Sequence, residues 1–517
     1  MSTRSLSYCS ALMFVLLYAL DAVSSSTPTF VSESSLNNTQ FQFPAGVSTA
    51  LGVNPPGQTA CPNYSYCVPF AGKTLSGNLA ILPYTYAYSA AVTTTAADTG
   101  GDSFTCFDGS VDSTTTIPLS PNYHPHNGLC YARNTAANSV RGIVTFGTTP
   151  VTNVAADASQ WYNILNTSDP LDTHASAAGK NSTTANAVSI TTSSNGDLIY
   201  VHVCRTGTPT TSSFTAGSGF TLVTTDIHDG CATEYQIQST AGSITPTMTM
   251  ATASTYVEQV FAFKAAPSSN TSTAPSGVYL ERMMSWSMPQ NQSASTWTFQ
   301  LPSAGNFLFQ SISCGALIPS ATTLPNESGE TWNLAGINTR NPPVINGEYY
   351  AQNAAPNYTG NSPGLVTDTF TGTGDCTVKF YSFAGAPASP FTQWSQYDFS
   401  TSSSPATVTT TWNPRANPSV WIFTGGETNN TGTGVTTPAS GCQWTGGSFG
   451  GMNINGPEPI DENNMWAVCY ESTTGNQTFA YSFAGTNPNG QGADLAAFSS
   501  STIGAPAPPT NLQAVPH

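Results

Sequence analysis

The chain has 517 residues, a formal net charge of −16 and only 11 Lys plus Arg. Charged residues make up 7%, against roughly 25% in an average soluble domain. With no basic stripe to neutralise phosphates, nucleic acid is not expected as a partner, nor is an anionic membrane surface, and an aromatic share of 11% argues against disorder.

Residues 1–24 read as a secretory signal peptide. Arg4 supplies the positive start, "ALMFVLLYAL" (Ala11 to Leu20) is a short apolar run, and "AVS" (Ala22 to Ser24) offers a small-residue cleavage site before Ser25. The apolar run is too short to span a bilayer comfortably, and no later segment is apolar enough to be a transmembrane segment. The mature chain is therefore expected to be secreted or held at the cell surface.

Downstream, Gly followed by an aromatic three places on recurs at Gly101–Phe104, Gly217–Phe220, Gly329–Trp332 and Gly441–Trp444, at steps of 116, 112 and 112 residues. A nearly constant period marks an internal repeat. Ahead of each glycine lies a strand-like run: "GNLAIL" at Gly77, "GDLIYVHV" at Gly196, "GNFLFQSI" at Gly305 and "PSVWIF" at Pro418. After it comes a strand around Tyr131, Tyr235, Tyr350 or Tyr470, and then a closing strand such as Val260–Ala265 or Val378–Gly385. In the fourth repeat either "YSFAG" at Tyr481 or "DLAAF" (Asp494 to Phe498) fits the closing strand. Trp297, Phe299 and Leu301 alternate with Thr298 and Gln300, the period of a half-buried strand.

No amphipathic helix is evident, so the expected fold is all-β: four tandem antiparallel β-sandwich domains. The boundaries place an N-terminal arm and the first sandwich at 25–168, the others at 169–273, 274–388 and 389–503, and a Pro-rich tail at 504–517. The arm, Ser25 to about Ser76, is expected as an addition to the first domain. Equal parity from each repeat glycine puts Phe104 with Cys106, Phe220 with Leu222, Trp332 with Leu334, and Cys442 with Trp444 on the core face.

Ten cysteines remain after Cys9 leaves with the signal, an even number that suits disulfides in an exported chain. Repeat register suggests Cys106–Cys130 and Cys442–Cys469 as equivalent bridges. Cys204 and Cys314 both end the run ahead of the repeat glycine, and their local partners are Cys231 and Cys376. Cys61 and Cys67 would close a small loop.

Three clusters precede the tyrosine strands and are expected in one variable loop: "YHPHNG" with His124 and His126, "DIHDG" with Asp226, His228 and Asp229, and "EPIDENN" with Glu458, Asp461 and Glu462. Variable loops on a constant scaffold are where binding concentrates. Asp226, Asp229, Asp461 and Glu462 are candidate calcium ligands, because Ca2+ takes carboxylate oxygens. Their spacing has no ordered ligand pattern, and a solvated loop is the stronger reading of them. No cofactor is expected otherwise.

"GNSPG" (Gly360 to Gly364) matches the nucleophile-elbow pattern, but Pro363 lacks the N–H that would complete an oxyanion hole, so it reads as a turn. "GDSF" (Gly101 to Phe104) shares three letters with GDSL hydrolases without their scaffold or distant histidine. Paired carboxylates for glycoside hydrolysis stay open, since such residues can be distant in sequence. Trp286, Trp394, Trp412 and Trp421 are candidates for sugar stacking, with the core reading ahead for the last two. Ten N-x-S/T sequons occur, among them Asn63, Asn166 and Asn181.

The order of "GNL", turn, G-x-x-aromatic and tyrosine strand resembles the tandem β-sandwich repeats of bacterial secreted and cell-surface proteins, immunoglobulin-like or jelly-roll in shape. The resemblance extends to about residue 500, and "PPTNLQAV" (Pro508 to Val515) is similar to the first strand of a fibronectin type III module. It implies a non-catalytic structural or adhesive role, a rod of four sandwiches, with matrix, glycan or self-assembly partners. Carbohydrate binding is the alternative, and a polysaccharide-active hydrolase the third reading.

Overall fold

The computed structural model describes residues 26–37, 51–52, 61–111, 124–149, 151–206, 214–226, 230–269, 271–287, 296–301, 307–315, 318–323, 331–341, 344–354, 358–359, 362–372, 375–399, 406–412, 419–427, 435–436, 442–447, 463–471, 477–483 and 491–499. These residues are all-β, without a helix. None of them forms a helix long and apolar enough to cross a membrane.

Strands group by repeat. The first contributes β1 (Thr29–Asn37), β2 (Leu51–Gly52), β3 (Ser65–Pro69), β4 (Leu79–Tyr88), β5 (Thr95–Asp98), β6 (Thr105–Val111), β7 (His124–Ala132), β8 (Arg141–Thr145) and β9 (Thr152–Tyr162). The second contributes β10 (Leu171–Ala185), β11 (Ile190–Thr191), β12 (Asp197–Thr206), β13 (Phe214–Thr215), β14 (Thr221–Asp226), β15 (Cys231–Gln238), β16 (Ser243–Ile244) and β17 (Met248–Phe263). The third contributes β18 (Tyr279–Ser287), β19 (Thr296–Leu301), β20 (Phe307–Gly315), β21 (Ile318–Thr323), β22 (Asn333–Asn341), β23 (Val344–Gln352), β24 (Tyr358–Thr359), β25 (Ser362–Thr371) and β26 (Asp375–Ala384). The fourth contributes β27 (Phe391–Phe399), β28 (Ala406–Trp412), β29 (Ser419–Glu427), β30 (Val435–Thr436), β31 (Cys442–Gly447), β32 (Asn463–Glu471), β33 (Gln477–Phe483) and β34 (Gln491–Ser499).

One strand order recurs four times. An opening strand lies beside the closing strand, then the central strand, the tyrosine strand and the glycine strand: β1-β9-β4-β7-β6, β10-β17-β12-β15-β14, β18-β26-β20-β23-β22 and β27-β34-β29-β32-β31. Companion sheets are β2-β3-β8-β5, β11-β16, β19-β25-β21 and β28-β33-β30. "DLAAF" lies in β34, the fourth closing strand, while "YSFAG" begins in β33 of a companion sheet. Gly77 and Gly196 enter the central strands at φ +82° and +83°, a left-handed turn that glycine adopts without the Cβ penalty. The expected N-terminal arm is no appendage, because β1 is an opening strand and β3 belongs to a companion sheet.

The central strands β4, β12 and β20 bury both faces, which is why they read as continuous apolar runs. In the first repeat Ala80, Leu82 and Tyr84 pack towards Tyr66, Val68 and Val144 of the companion sheet. Leu79 and Ile81 point the other way, onto Leu198, Tyr200, Phe261 and Phe263 of the second repeat. Phe307 and Phe309 likewise meet Val420, Ile422, Ala496 and Phe498 of the fourth repeat. The five-stranded sets therefore stack in pairs, first on second and third on fourth.

The expected rod is not what forms. β1 and β18 pair in parallel, Glu33 opposite Arg282 through Asn37 opposite Trp286, and fuse the first and third sets into one ten-stranded sheet. The linker after the second repeat makes this possible by running back across the first. Asn78 Nδ2 donates to Thr273 O at 3.1 Å and accepts through Oδ1 from Thr273 N at 3.1 Å. Contacts of β14 with β19 and of β3 with β31 place the second repeat beside the third companion sheet, and the fourth repeat beside the first. The β1–β18 and β2–β3 ladders are parallel, a departure from the purely antiparallel expectation.

Three disulfides close Cys61–Cys67, Cys106–Cys130 and Cys204–Cys231. Cys314 is disulfide-bonded and stands across the ladder from Cys376; Cys442 stands across from Cys469. Cys204 and Cys314 are not equivalent. Cys314 packs inside the third repeat with Leu308 and Ile312, whereas Cys204 shares the parity of Leu198 and Tyr200, which face the first repeat. One residue of offset turns a side chain to the opposite face. Replacing Cys106 and Cys130 by Ser should cost about 2–4 kcal/mol, read as a lower thermal midpoint of the oxidised chain.

Candidate functional site

The sequence-derived site residues do not converge among the described residues. Asp226 ends β14, with its backbone paired to Cys231. Asp229, Asp461 and Glu462 lie outside the described residues, as do His228 and Glu458. "YHPHNG" is not a loop: His124 to Gly128 belong to β7, paired with β4. His126 is buried, stacked on Tyr86 at 4.6 Å, and burial pushes its imidazole below the usual range.

The remaining motifs resolve into structure. In "GDSF", Asp98 Oδ1 accepts from the N–H groups of Gly100 (3.1 Å) and Asp102 (2.8 Å), and Asp102 accepts from Ala136 N at 2.9 Å. The aspartates hold the turn into β6, and Phe104 packs on the first core. Ser362 and Pro363 of "GNSPG" pair with Thr359 and Tyr358 in a hairpin. Trp394 is half-buried against the third–fourth interface, where a Cβ on Gly336 would meet its ring at 2.4 Å. The side chains of Trp286, Trp412 and Trp421 lie outside the described set. Asn166 is buried with Nδ2 donating to Gly77 O at 3.0 Å, while Asn63 and Asn181 are exposed.

His202, Cys204 and Cys231 bring three metal-type ligand atoms within 4.8 Å of one another, all buried. Both sulfurs are spent in the disulfide, and burial pushes the His202 imidazole down to about 3. The cluster is a neutral histidine packed on a disulfide rather than a metal centre.

Two carboxyls sit inside the second repeat, on the strand faces that carry Ala232 and Val260. Glu234 Oε2 accepts from Gly217 N at 2.8 Å and Glu258 Oε2 from Val188 N at 3.2 Å, while the second oxygen of each has no partner. Burial raises Glu234 to about 8, with Glu258 adding repulsion, and burial raises Glu258 to about 7. Asp368, inside the third repeat, accepts from Gln310 Nε2 and Thr322 Oγ1 at 2.7 Å each and is raised to about 7 by burial. A glycoside hydrolase needs its carboxyls open to a sugar ring; these are fully buried and accept hydrogen bonds from the surrounding protein.

An open pocket of about 410 Å³ lies where the returning linker crosses β1 and enters β18. Val31, Leu75, Val278 and Tyr279 form apolar walls, with exposed Lys73 and fully buried Gln160 also in the lining. Gln160 Oε1 accepts from Leu75 N (2.7 Å) and Asn78 Nδ2 (2.9 Å), which fixes its amide orientation. Its Nε2 has no partner. A buried donor without a partner costs about 1–3 kcal/mol, and Nε2 is itself closed off from solvent, so the pocket's accessible charged group is Lys73. An apolar wall with a few convergent polar groups is the usual make-up of a small-molecule site.

Sequence reasoning missed this pocket because its walls come from β1, the 72–75 loop, Gln160 and the 273–280 linker, which only the β1–β18 pairing assembles. No protein-family model matches the sequence, and no curated protein matches it.

Proposed function

We propose that this chain is a secreted or cell-surface structural and adhesive protein, non-catalytic, made of four jelly-roll β-sandwich domains. The recurring order of opening, closing, central and tyrosine strands, with companion sheets built from the intervening strands, supports the jelly-roll reading. The observation that carries the functional reading is how these sets are used. Each spends its aromatic outer face on a neighbouring set, and the chain becomes one block joined through a shared sheet. Such packing builds a rigid body suited to bearing or presenting surface. Fractionation of cells expressing the full chain tests this: the mature protein should be in the medium or accessible to protease on the surface. Retention inside the cytoplasm would overturn it.

The pocket favours carbohydrate binding as a second reading. Tyr279 supplies an aromatic wall for a sugar face, and the exposed Lys73 a donor for a hydroxyl or carboxylate oxygen. A glycan array with the purified mature protein should give selective binding that Tyr279→Ala and Lys73→Ala each weaken at least tenfold, about 1.4 kcal/mol. Binding untouched by both changes would place the glycan site elsewhere.

A further inference from the structure

We propose that the protein assembles with further copies of itself through the outer edges of β10 and β27, repeating between molecules the parallel pairing that β1 and β18 make within one chain. This deepens the structural reading above and rests on it. The four opening strands are equivalent. Each pairs on one side with its closing strand, and each carries a register shift at its start: Phe30/Ser32, Leu171/Thr173, Leu280/Arg282 and Phe391/Gln393. In the first and third repeats the other side is taken by the partner opening strand. Among the described residues, the opening strand of the second and of the fourth repeat is the outermost strand of its sheet.

The β1–β18 junction shows that this edge is self-complementary. Counted from the shared shift, Asn37 corresponds to Ser287, and it stands across from Trp286, one position away. Parallel strands meeting at near-equivalent positions are what a two-fold axis along the strands produces, and a two-fold contact joins like surface to like surface. The same edge on β10 or β27 can therefore meet its equivalent in another copy.

Regularity separates these edges from the opposite ones. Past the shift, β10 keeps unbroken register from Thr173 to Gly179, and β27 from Gln393 to Phe399. The junction within the chain uses only Glu33 to Asn37. The glycine strands at the far edges are interrupted instead, at Asp108/Val111, Leu222/Thr224, Leu334/Gly336 and Trp444/Gly446. Bulges are a common device for blocking edge-to-edge pairing. Stacking is also alike at both places. β14 lies over β1, where Thr224 donates to Glu33, and β6 lies over β10, where Phe107 meets His174 at 4.2 Å. An overlying sheet that tolerates pairing at β1 leaves the same access at β10. With one such edge at each end of the block, the assembly is an open chain of molecules.

Sedimentation of the mature full chain should show a mass that rises with concentration. The exposed Ala178 and its positional counterpart Asp398 provide the contact test. Ala178→Cys and Asp398→Cys, alone and mixed, should be joined between molecules by a short thiol cross-linker, and Ala178→Lys with Asp398→Lys should lower the assembled mass. A cross-link in any of the three combinations supports the proposal. A chain that is monomeric at every concentration, or one that associates without any cross-link and without response to the lysines, overturns it. A monomer found on the cell surface would sink this inference alone, whereas an edge-linked polymer kept in the cytoplasm would sink the surface role alone.

Discussion

Stability should fall as pH rises from about 5 towards 7, the reverse of an acid-labile protein. Glu234, Glu258 and Asp368 are fully buried and raised to about 8, 7 and 7. Their folded-state pKa values lie above the unfolded ones, so between the two the folded chain holds protons that the unfolded chain has lost. Stability then decreases with pH: the contribution is fully present below the unfolded value and is lost as pH rises through the folded one. At about 1.4 kcal/mol per unit, each site contributes on the order of 3 kcal/mol. Burial lowers the imidazoles of His202, His126 and His174, which opposes this fall below about 6.5 without outweighing the three carboxyls, and it lowers the Lys379 ammonium to about 7, which opposes the fall only above that pH. Urea titrations at pH 5 and pH 7 should show the lower midpoint at pH 7. Glu234→Gln with Asp368→Asn should flatten the difference while keeping the hydrogen bonds. A midpoint that rises over this interval in the unmodified chain rules the account out.

The fold was legible where local pattern and global packing agree. The repeat glycines, the tyrosine strands and the central apolar runs mark strands that recur with one neighbour order, because strand period and turn chemistry are local properties. Parity placed Phe104, Cys106, Phe220 and Leu222 towards their cores. It failed for Leu334, which is 52% exposed on edge strand β22 beside a register shift; Trp332 on the same face does pack on its core. The same parity puts Glu234 inside, since like Cys130 it immediately precedes a repeat tyrosine. The rod failed for a different reason. A parallel pairing between β1 and β18 joins segments some 250 residues apart, and no local pattern encodes it. The pocket inherits that blindness, because it exists only once the linker has returned across the first repeat.

Replacing Trp161 by Ala should uncouple the first repeat from the second. Trp161 is fully buried on the outer face of β9. Its ring meets Phe30 at 5.3 Å, Tyr200 at 6.2 Å and Tyr235 at 4.7 Å, all edge-on, and its Nε1 donates to Ser159 Oγ at 3.1 Å. Aromatic pairs of this geometry add to the area they bury, and removing a buried Trp costs about 3–5 kcal/mol through lost transfer energy and the cavity left behind. The cost falls on the interface, because the interior of the first repeat is built from the opposite face of the sheet, around Tyr84, Val144 and Phe146. Heating should then resolve an early transition, and amide exchange should rise along β9, β12 and β15 while β3 and β8 keep their protection. Trp161→Phe should recover part of the loss. Unchanged melting together with unchanged exchange at β12 would mean that the two sets are held together by something other than this aromatic face. In that case the stacked pair would lose its standing as the unit from which the block is built.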